Sequence, residues 1–184
     1  MSIFFYIRIS GENALYEIYH SKPIMMMRTA EIQTEKGTMK VNFFEKDAPN
    51  TVENFCKLAR KGFYDGLNFH RVIADFVIQG GCPDGNGTGG PGYKIKCELD
   101  GENQSHDKGV LSMAHAGRDT GGSQFFICLN RENTRHLDRN HTCFGKVVHG
   151  VEVIEMIRQG DRILKIQIHE DANGHEHPEM IQSN

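Results

Sequence analysis

The chain has no tryptophan and only five prolines in 184 residues. Its five cysteines, Cys56, Cys82, Cys97, Cys128 and Cys143, are odd in number and include no CxxC pair. That excludes a fully paired disulfide framework and a zinc ribbon. Small thiols inside apolar runs suit a reducing, cytoplasmic compartment instead. No apolar run is long enough to span a bilayer. The stretch from Ile3 to Ile9 is broken by Arg8, with no basic segment before it and no small-residue cleavage site after it, which makes a poor secretory signal. Positive charge is not in excess either: the formal net charge is −3, which argues against nucleic acid as the main partner. Familiar catalytic patterns are also missing. Without HExxH or a comparable ligand spacing, no metal is expected. There is no GxSxG elbow, and Gly121-Gly122-Ser123-Gln124 runs into Phe125-Phe126 rather than into a helix, which argues against a serine hydrolase.

What is present is the composition of one soluble globular domain, 38% hydrophobic and 24% charged, with enough length for a substantial core. Gly85-Asn86-Gly87-Thr88-Gly89-Gly90 satisfies GxGxxG. The dinucleotide fingerprint, however, must open a helix, and here Pro91-Gly92 and the strand-like Tyr93 to Cys97 follow. It reads as a glycine-rich surface loop, and no cofactor is expected. His169, His175 and His177 stand among Glu170, Asp171, Glu176 and Glu179; residues 171–184 read as a solvated polar tail rather than a metal site. The sequons at Asn103 and Asn140 read as chance matches.

The most informative stretch is Phe69-His70-Arg71-Val72-Ile73, followed by Phe76-Val77-Ile78-Gln79-Gly80-Gly81. Alternation puts Arg71 on one face of a strand, opposite His70 and Val72. A guanidinium on an apolar strand costs free energy unless a side chain or a ligand partners it. A buried ion pair, an arginine snorkelling to the rim and a ligand contact all fit these residues alone.

Around this stretch the pattern is mostly β. Ile32, Thr34, Met39, Val41 and Phe43 alternate about Gly37, predicting a hairpin. Pro49 suits a first helical turn, Val52, Phe55, Cys56 and Ala59 recur at helical spacing, and Gly62 suits the stop. Strands are predicted near 76–80, 93–98, 110–114, 124–129, 142–147 and 162–168, and a second helix carries Val151, Ile154 and Ile157 to Gly160. Residues 1–27 stand apart as an N-terminal extension, either an added strand or disordered, and one of Met25, Met26 and Met27 could be the natural start. The expected fold is mainly β, a closed antiparallel eight-stranded barrel capped by two α-helices.

Further segments follow in a telling order: Leu111-Ser112-Met113-Ala114-His115-Ala116-Gly117, then Gly121 to Ile127, then His136-Leu137-Asp138-Arg139-Asn140-His141 through Lys146. With the two runs around Arg71 and Gln79, they closely resemble the cyclophilin family of peptidyl-prolyl cis-trans isomerases. The resemblance covers about 28–170 and has a microbial tone. It implies the same barrel and a cofactor-independent isomerase that turns Xaa-Pro bonds in client chains and assists folding. A non-enzymatic module that only binds proline-containing segments is the competing reading.

By the resemblance, Arg71 is the catalytic donor to the prolyl carbonyl, and Phe76, Val77, Phe126 and Leu137 form the proline pocket. Gln79 and the backbone of Ala114, His115 and Ala116 hold the substrate main chain. Gln124 is a polar neighbour, and His141 walls the pocket. The glycine loop borders a second pocket beside the proline site. Val77 replaces a frequent methionine, His115 a common asparagine, and His136 the tryptophan of many eukaryotic members. The last change implies weak cyclosporin binding with turnover retained. A monomer is expected.

Overall fold

The computed structural model describes residues 27–171 throughout and, apart from them, two strands, β1 (Phe4–Ile9) and β2 (Glu12–Glu17). β1 and β2 pair antiparallel, with Phe4 opposite Glu17 and Ile9 opposite Glu12. Met25, Met26 and the tail beyond Asp171 lie outside the described residues. Met27–Asp171 is a compact unit in its own right.

That unit opens with the expected hairpin of β3 (Met27–Thr34) and β4 (Gly37–Phe43). Period-two alternation sends Ala30, Ile32, Met39, Val41 and Phe43 inward, all buried. Helix α1 (Pro49–Arg60) follows. Proline fits its first turn, but Ala48 offers no side-chain cap. The Glu98 carboxylate caps it from a distance, accepting the Asn50 and Thr51 N–H groups at 3.1 and 2.8 Å. A carboxylate at a helix N-terminus also complements the helix dipole. The buried face of α1 places Phe55 in the core, 5.4 Å from the Phe125 ring and 5.2 Å from the Phe144 ring. Gly62, in the left-handed region at φ 69°, ends the helix as its sequence position predicts.

The remaining strands are β5 (Arg71–Ile73), β6 (Val77–Gly80), β7 (Val110–Met113), β8 (Phe125–Cys128), β9 (Cys143–His149) and β10 (Ile163–Asp171). They join one antiparallel eight-stranded sheet in the order β10-β3-β4-β9-β7-β8-β6-β5. The expectation of a closed barrel is corrected here. No ladder joins the outer strands β5 and β10, and the curled sheet stays open. Among the described residues its seam is crossed only by the segment before β5, where Asn68 bridges Arg162 and Phe69 N–H donates to Asp161 O at 2.9 Å. A three-residue edge strand is too short to carry the closure.

Two further corrections concern elements. The predicted strand at 93–98 is reduced to one bridge, Ile95 with Gly121. Beyond it, the Cys97 and Glu98 N–H groups donate to the Asp119 carboxylate and the Thr142 hydroxyl, so no ladder forms. Among the described residues the helices are three rather than two: α1, α2 (Arg131–Thr134) and α3 (Val151–Met156), with a 3-10 turn at Arg135–Leu137. The Asn130 side chain caps α2 by accepting the Glu132 N–H.

Candidate active site

The strand period separates two apolar layers. In β8, Phe125 and Ile127 face the main core, whereas Phe126 and Cys128 join a second cluster with Val77, Val110 and Cys143 on the other face. Phe76, Ala114 and Leu137 pack against that second cluster. Pairing then fixes a row across five strands: Arg71 opposite Gln79, Gln79 opposite Phe126, Phe126 opposite Ser112, and Ser112 opposite Cys143. Directly opposed residues share a face. A cation, an amide and an aromatic ring therefore stand in line.

A cavity of about 510 Å³ opens above this row, within the range of small-ligand sites. Arg71, Phe76, Val77, Gln79, Ala114, His115, Ala116, Gln124, Phe126, Leu137 and His141 all line it. His136 does not. It lies outside, its ring stacked on Phe76 at 5.7 Å with 10° between planes. Of the readings open for Arg71, the buried ion pair does not hold: Arg71 is exposed at the sheet edge, while Val72 packs inward against the core. Its Nη1 donates to Gln79 Oε1 at 3.3 Å, and its Cζ lies 5.9 Å from the Phe76 ring centre. No carboxylate pairs with it among the described residues.

The amides continue outward. Gln79 Nε2 donates to Gln124 Oε1 at 3.0 Å, and Gln124 Nε2 donates to the Gly87 and Gly89 carbonyls, both at 2.8 Å. Gln124 thus ties the glycine loop to the row that holds Arg71. The loop opens no helix. Instead the Gly87 and Gly89 N–H groups donate to Cys82 Sγ at 3.2 and 3.3 Å. Burial pushes the Cys82 thiol up, yet the backbone donors of Asn86, Gly89, Gly87 and Asp84 together outweigh it and hold it below the ordinary thiol value. Burial pushes Cys56 and Cys143 up to about 12, which leaves them inert thiols.

The histidines form the remaining wall. The His115 and His141 rings stack with centroids 4.0 Å apart. His115 Nε2 donates to Asn140 O at 2.9 Å, and His141 Nδ1 donates to Met113 O at 3.1 Å. Burial, then the neighbouring His115, lowers the His141 pKa. The His141 ring is therefore neutral near pH 7.

Sequence reasoning missed the support behind the floor. His106 is fully buried and stacks on Phe126 at 5.8 Å. Burial lowers its pKa to about 4 against the raising effect of Asp138. The neutral ring then donates from Nδ1 to Asp138 Oδ1 at 3.1 Å, and Nε2 accepts from the Ser112 hydroxyl at 2.9 Å. Arg131 grips both Asp138 oxygens at 2.8 and 2.6 Å and holds that carboxyl well below the usual range. Ser112 and His106 are both fully buried behind the floor, which puts the serine and histidine of this series out of reach of substrate, while Asp138 is only part-buried. Tyr93, Lys94 and Thr120, also lining the cavity, were missed because no motif marks them.

Comparison with known proteins agrees with this geometry. The family described as cyclophilin type peptidyl-prolyl cis-trans isomerase/CLD matches residues 29–173. A peptidyl-prolyl cis-trans isomerase of Synechococcus elongatus is 57% identical over 148 residues, covering 79% of this chain and 99% of the relative. Peptidyl-prolyl cis-trans isomerase B of Bacillus subtilis is 54% identical over 144 residues, covering 77% and 99%. A crystal structure of a Cryptosporidium parvum cyclophilin type peptidyl-prolyl cis-trans isomerase superposes with TM-score 0.72 at 31% identity, covering 79% of this chain and 99% of that one. A further crystal structure from that organism, in the presence of the dipeptide Ala-Pro, gives TM-score 0.71 at 32% identity, covering 78% and 99%. With a curled antiparallel sheet, an apolar cavity edged by Arg71 and relatives this similar, the chain belongs to the cyclophilin-type peptidyl-prolyl cis-trans isomerase family.

Proposed function

We propose that the protein accelerates rotation about Xaa-Pro bonds in client chains, with Arg71 as the catalytic residue. The observation that carries this reading is the exposed guanidinium, free of any carboxylate among the described residues, beside an apolar pocket. Amide resonance sets a barrier of ~18–20 kcal/mol, and uncatalysed exchange takes tens of seconds or more. Turnover at typical enzyme rates requires lowering that barrier by only about 4–7 kcal/mol. One aimed donor and a dry pocket supply an effect of that size.

The proline ring sits between Phe76, Val77, Phe126 and Leu137 against His141. Arg71 donates to the prolyl carbonyl and favours a pyramidal nitrogen that has lost resonance. Gln79 restrains the guanidinium. Ala114 N–H is committed to Gln124 O at 2.9 Å and Ala116 N–H to Thr120 Oγ1 at 3.1 Å, which leaves the Ala114 carbonyl and His115 N–H to an extended substrate. His136 stands on the rim, stacked on the outer side of Phe76, where it limits cyclosporin affinity.

We also propose that 28–170 is the isomerase domain, with 1–27 an extension and 171–184 a tail. It works as a monomer in a reducing cytoplasm. Free thiols at all five cysteines support that compartment, and no helix among the described residues is long and apolar enough to cross a membrane. The test is a protease-coupled assay on a prolyl peptide. Release of the cis fraction should become enzyme-dependent, and an unchanged rate at micromolar protein would refute the activity.

A further inference from the structure

Two loops meet beside the proline pocket, and one side chain joins them. The first, after β7, carries the Ala114 carbonyl and the His115 N–H assigned above to substrate. The second, before β9, carries Leu137 and His141 into the cavity lining. The His115 ring uses both of its nitrogens between them. Nε2 donates to Asn140 O at 2.9 Å, and Gly117 N–H donates to Nδ1 at 3.3 Å. A carbonyl only accepts and an amide N–H only donates, so Nε2 carries the proton and Nδ1 carries none. The face of the same ring covers His141, with centroids 4.0 Å apart and 17° between planes.

This clasp holds only as a neutral ring. A proton on Nδ1 would point at the Gly117 N–H, setting donor against donor and leaving both unpaired. It would also bring a charge against His141, which burial and then His115 already disfavour as a cation. No countercharge is at hand. His115 forms no ion pair among the described residues, and no carboxylate lines the cavity. In the same loop, Asp119 is turned to Cys97, accepting its N–H at 2.8 Å. Beside the second loop, Asp138 is held by Arg131, and the Arg139 guanidinium donates to Leu99 O at 3.1 Å. The other groups are Arg118 in the first loop, Arg71 and Lys94 across the cavity, and His136 when protonated. All of these are of one sign.

We infer that His115 is a positioning residue: its neutral ring clasps the substrate-pairing loop to the His141 wall, and its protonation releases the two and lowers turnover. The inference rests on the isomerase reading above. The His115 side chain acts through His141 and through the backbone on either side of it, without touching the proline ring. An asparagine in its place would still offer Gly117 N–H an acceptor, but it would neither titrate nor cover His141. This one side chain therefore decides whether the site responds to acid in the histidine range.

The experiment follows enzyme-driven cis-trans exchange of one prolyl peptide by NMR, without a coupling protease, between about pH 8 and pH 5.5, with circular dichroism showing the chain folded throughout. Wild-type turnover should fall about three- to tenfold over that span, as one imidazole charges. The Gly117 amide resonance should shift with the same midpoint. In His115→Asn the ratio of turnover at the two ends should drop below about 2, since burial, the largest influence on His141, remains. Taking the ratio within each chain cancels any general loss of activity. If His141 were the group that titrates, removing its cationic neighbour would move the loss to higher pH and enlarge the ratio. A ratio in His115→Asn equal to or above that of wild type, or a flat wild-type profile, therefore overturns the inference while leaving the isomerase intact. Absence of turnover at every pH overturns both.

Discussion

Arg71 stands directly opposite Gln79 in the β5–β6 register, and its guanidinium donates to the Gln79 side-chain carbonyl at 3.3 Å. The pairing aims a cation over the proline pocket without neutralising it, because an amide oxygen restrains position and leaves the full charge. Arg71→Ala should therefore cut isomerase activity by a factor on the order of 10²–10³. Its exposed position means that folding should survive, as checked by circular dichroism. Wild-type activity in the folded variant would remove Arg71 from catalysis.

Phe126 is 5% exposed and forms the floor between the cavity and His106. Phe126→Ala should lower kcat and raise KM together, and should cost about 3–5 kcal/mol of stability through the void left behind. Urea unfolding and steady-state kinetics measure the two effects separately. An unchanged kcat/KM would mean that substrate does not rest on this ring.

Acid should destabilise the protein from the histidine range downward. His106 titrates at about 4 when folded, against ~6.5 unfolded. Its folded pKa is depressed, so the unfolded chain binds the proton first, and stability present above pH 6.5 drains away as pH falls to 4. The full span is on the order of 3 kcal/mol. His70 and His141 shift in the same direction. Asp138, also depressed, adds a loss below its ordinary carboxylate value. In His106→Gln, Tm should be lower at neutral pH but should vary less between pH 6.5 and 4. Parallel Tm curves for variant and wild type would exclude His106 as the titrating group.

Cyclosporin should bind weakly. His136 presents a smaller ring than tryptophan on the outer side of Phe76, and the difference in packing and hydrogen bonding is worth roughly 1–3 kcal/mol. Titration followed by residual isomerase activity should show His136→Trp about one to two decades more sensitive. Equal sensitivity would place drug selection elsewhere.

A chain that starts at Met27 should fold and turn over substrate like the full chain, because Met27–Asp171 is compact by itself. A large drop in Tm on truncation would show that residues 1–26 stabilise the sheet.

The sequence carried the site further than the architecture. The runs around Arg71, Gln79, Phe126 and His141 are local, and a two-residue period converts them directly into faces. Closure of the sheet is not local: it depends on whether a three-residue edge strand can reach β10 across more than ninety positions of sequence. The segment at 93–98 shows apolar alternation, but its N–H groups are taken by Asp119 and Thr142 from distant turns. His106 follows a serine and precedes an aspartate, and nothing in that neighbourhood announces a ring sealed behind Phe126.

The adjacent phenylalanines of β8 belong to different worlds, one interior and one receptive. Alternate letters of this strand are thus two independent texts. Pocket shape can be redesigned, by selection or in the laboratory, at Phe126 and Val77 while Phe125, Ile127 and Ile78 preserve the core unread. A family that shares one scaffold can diversify its clientele in this way by editing every second residue.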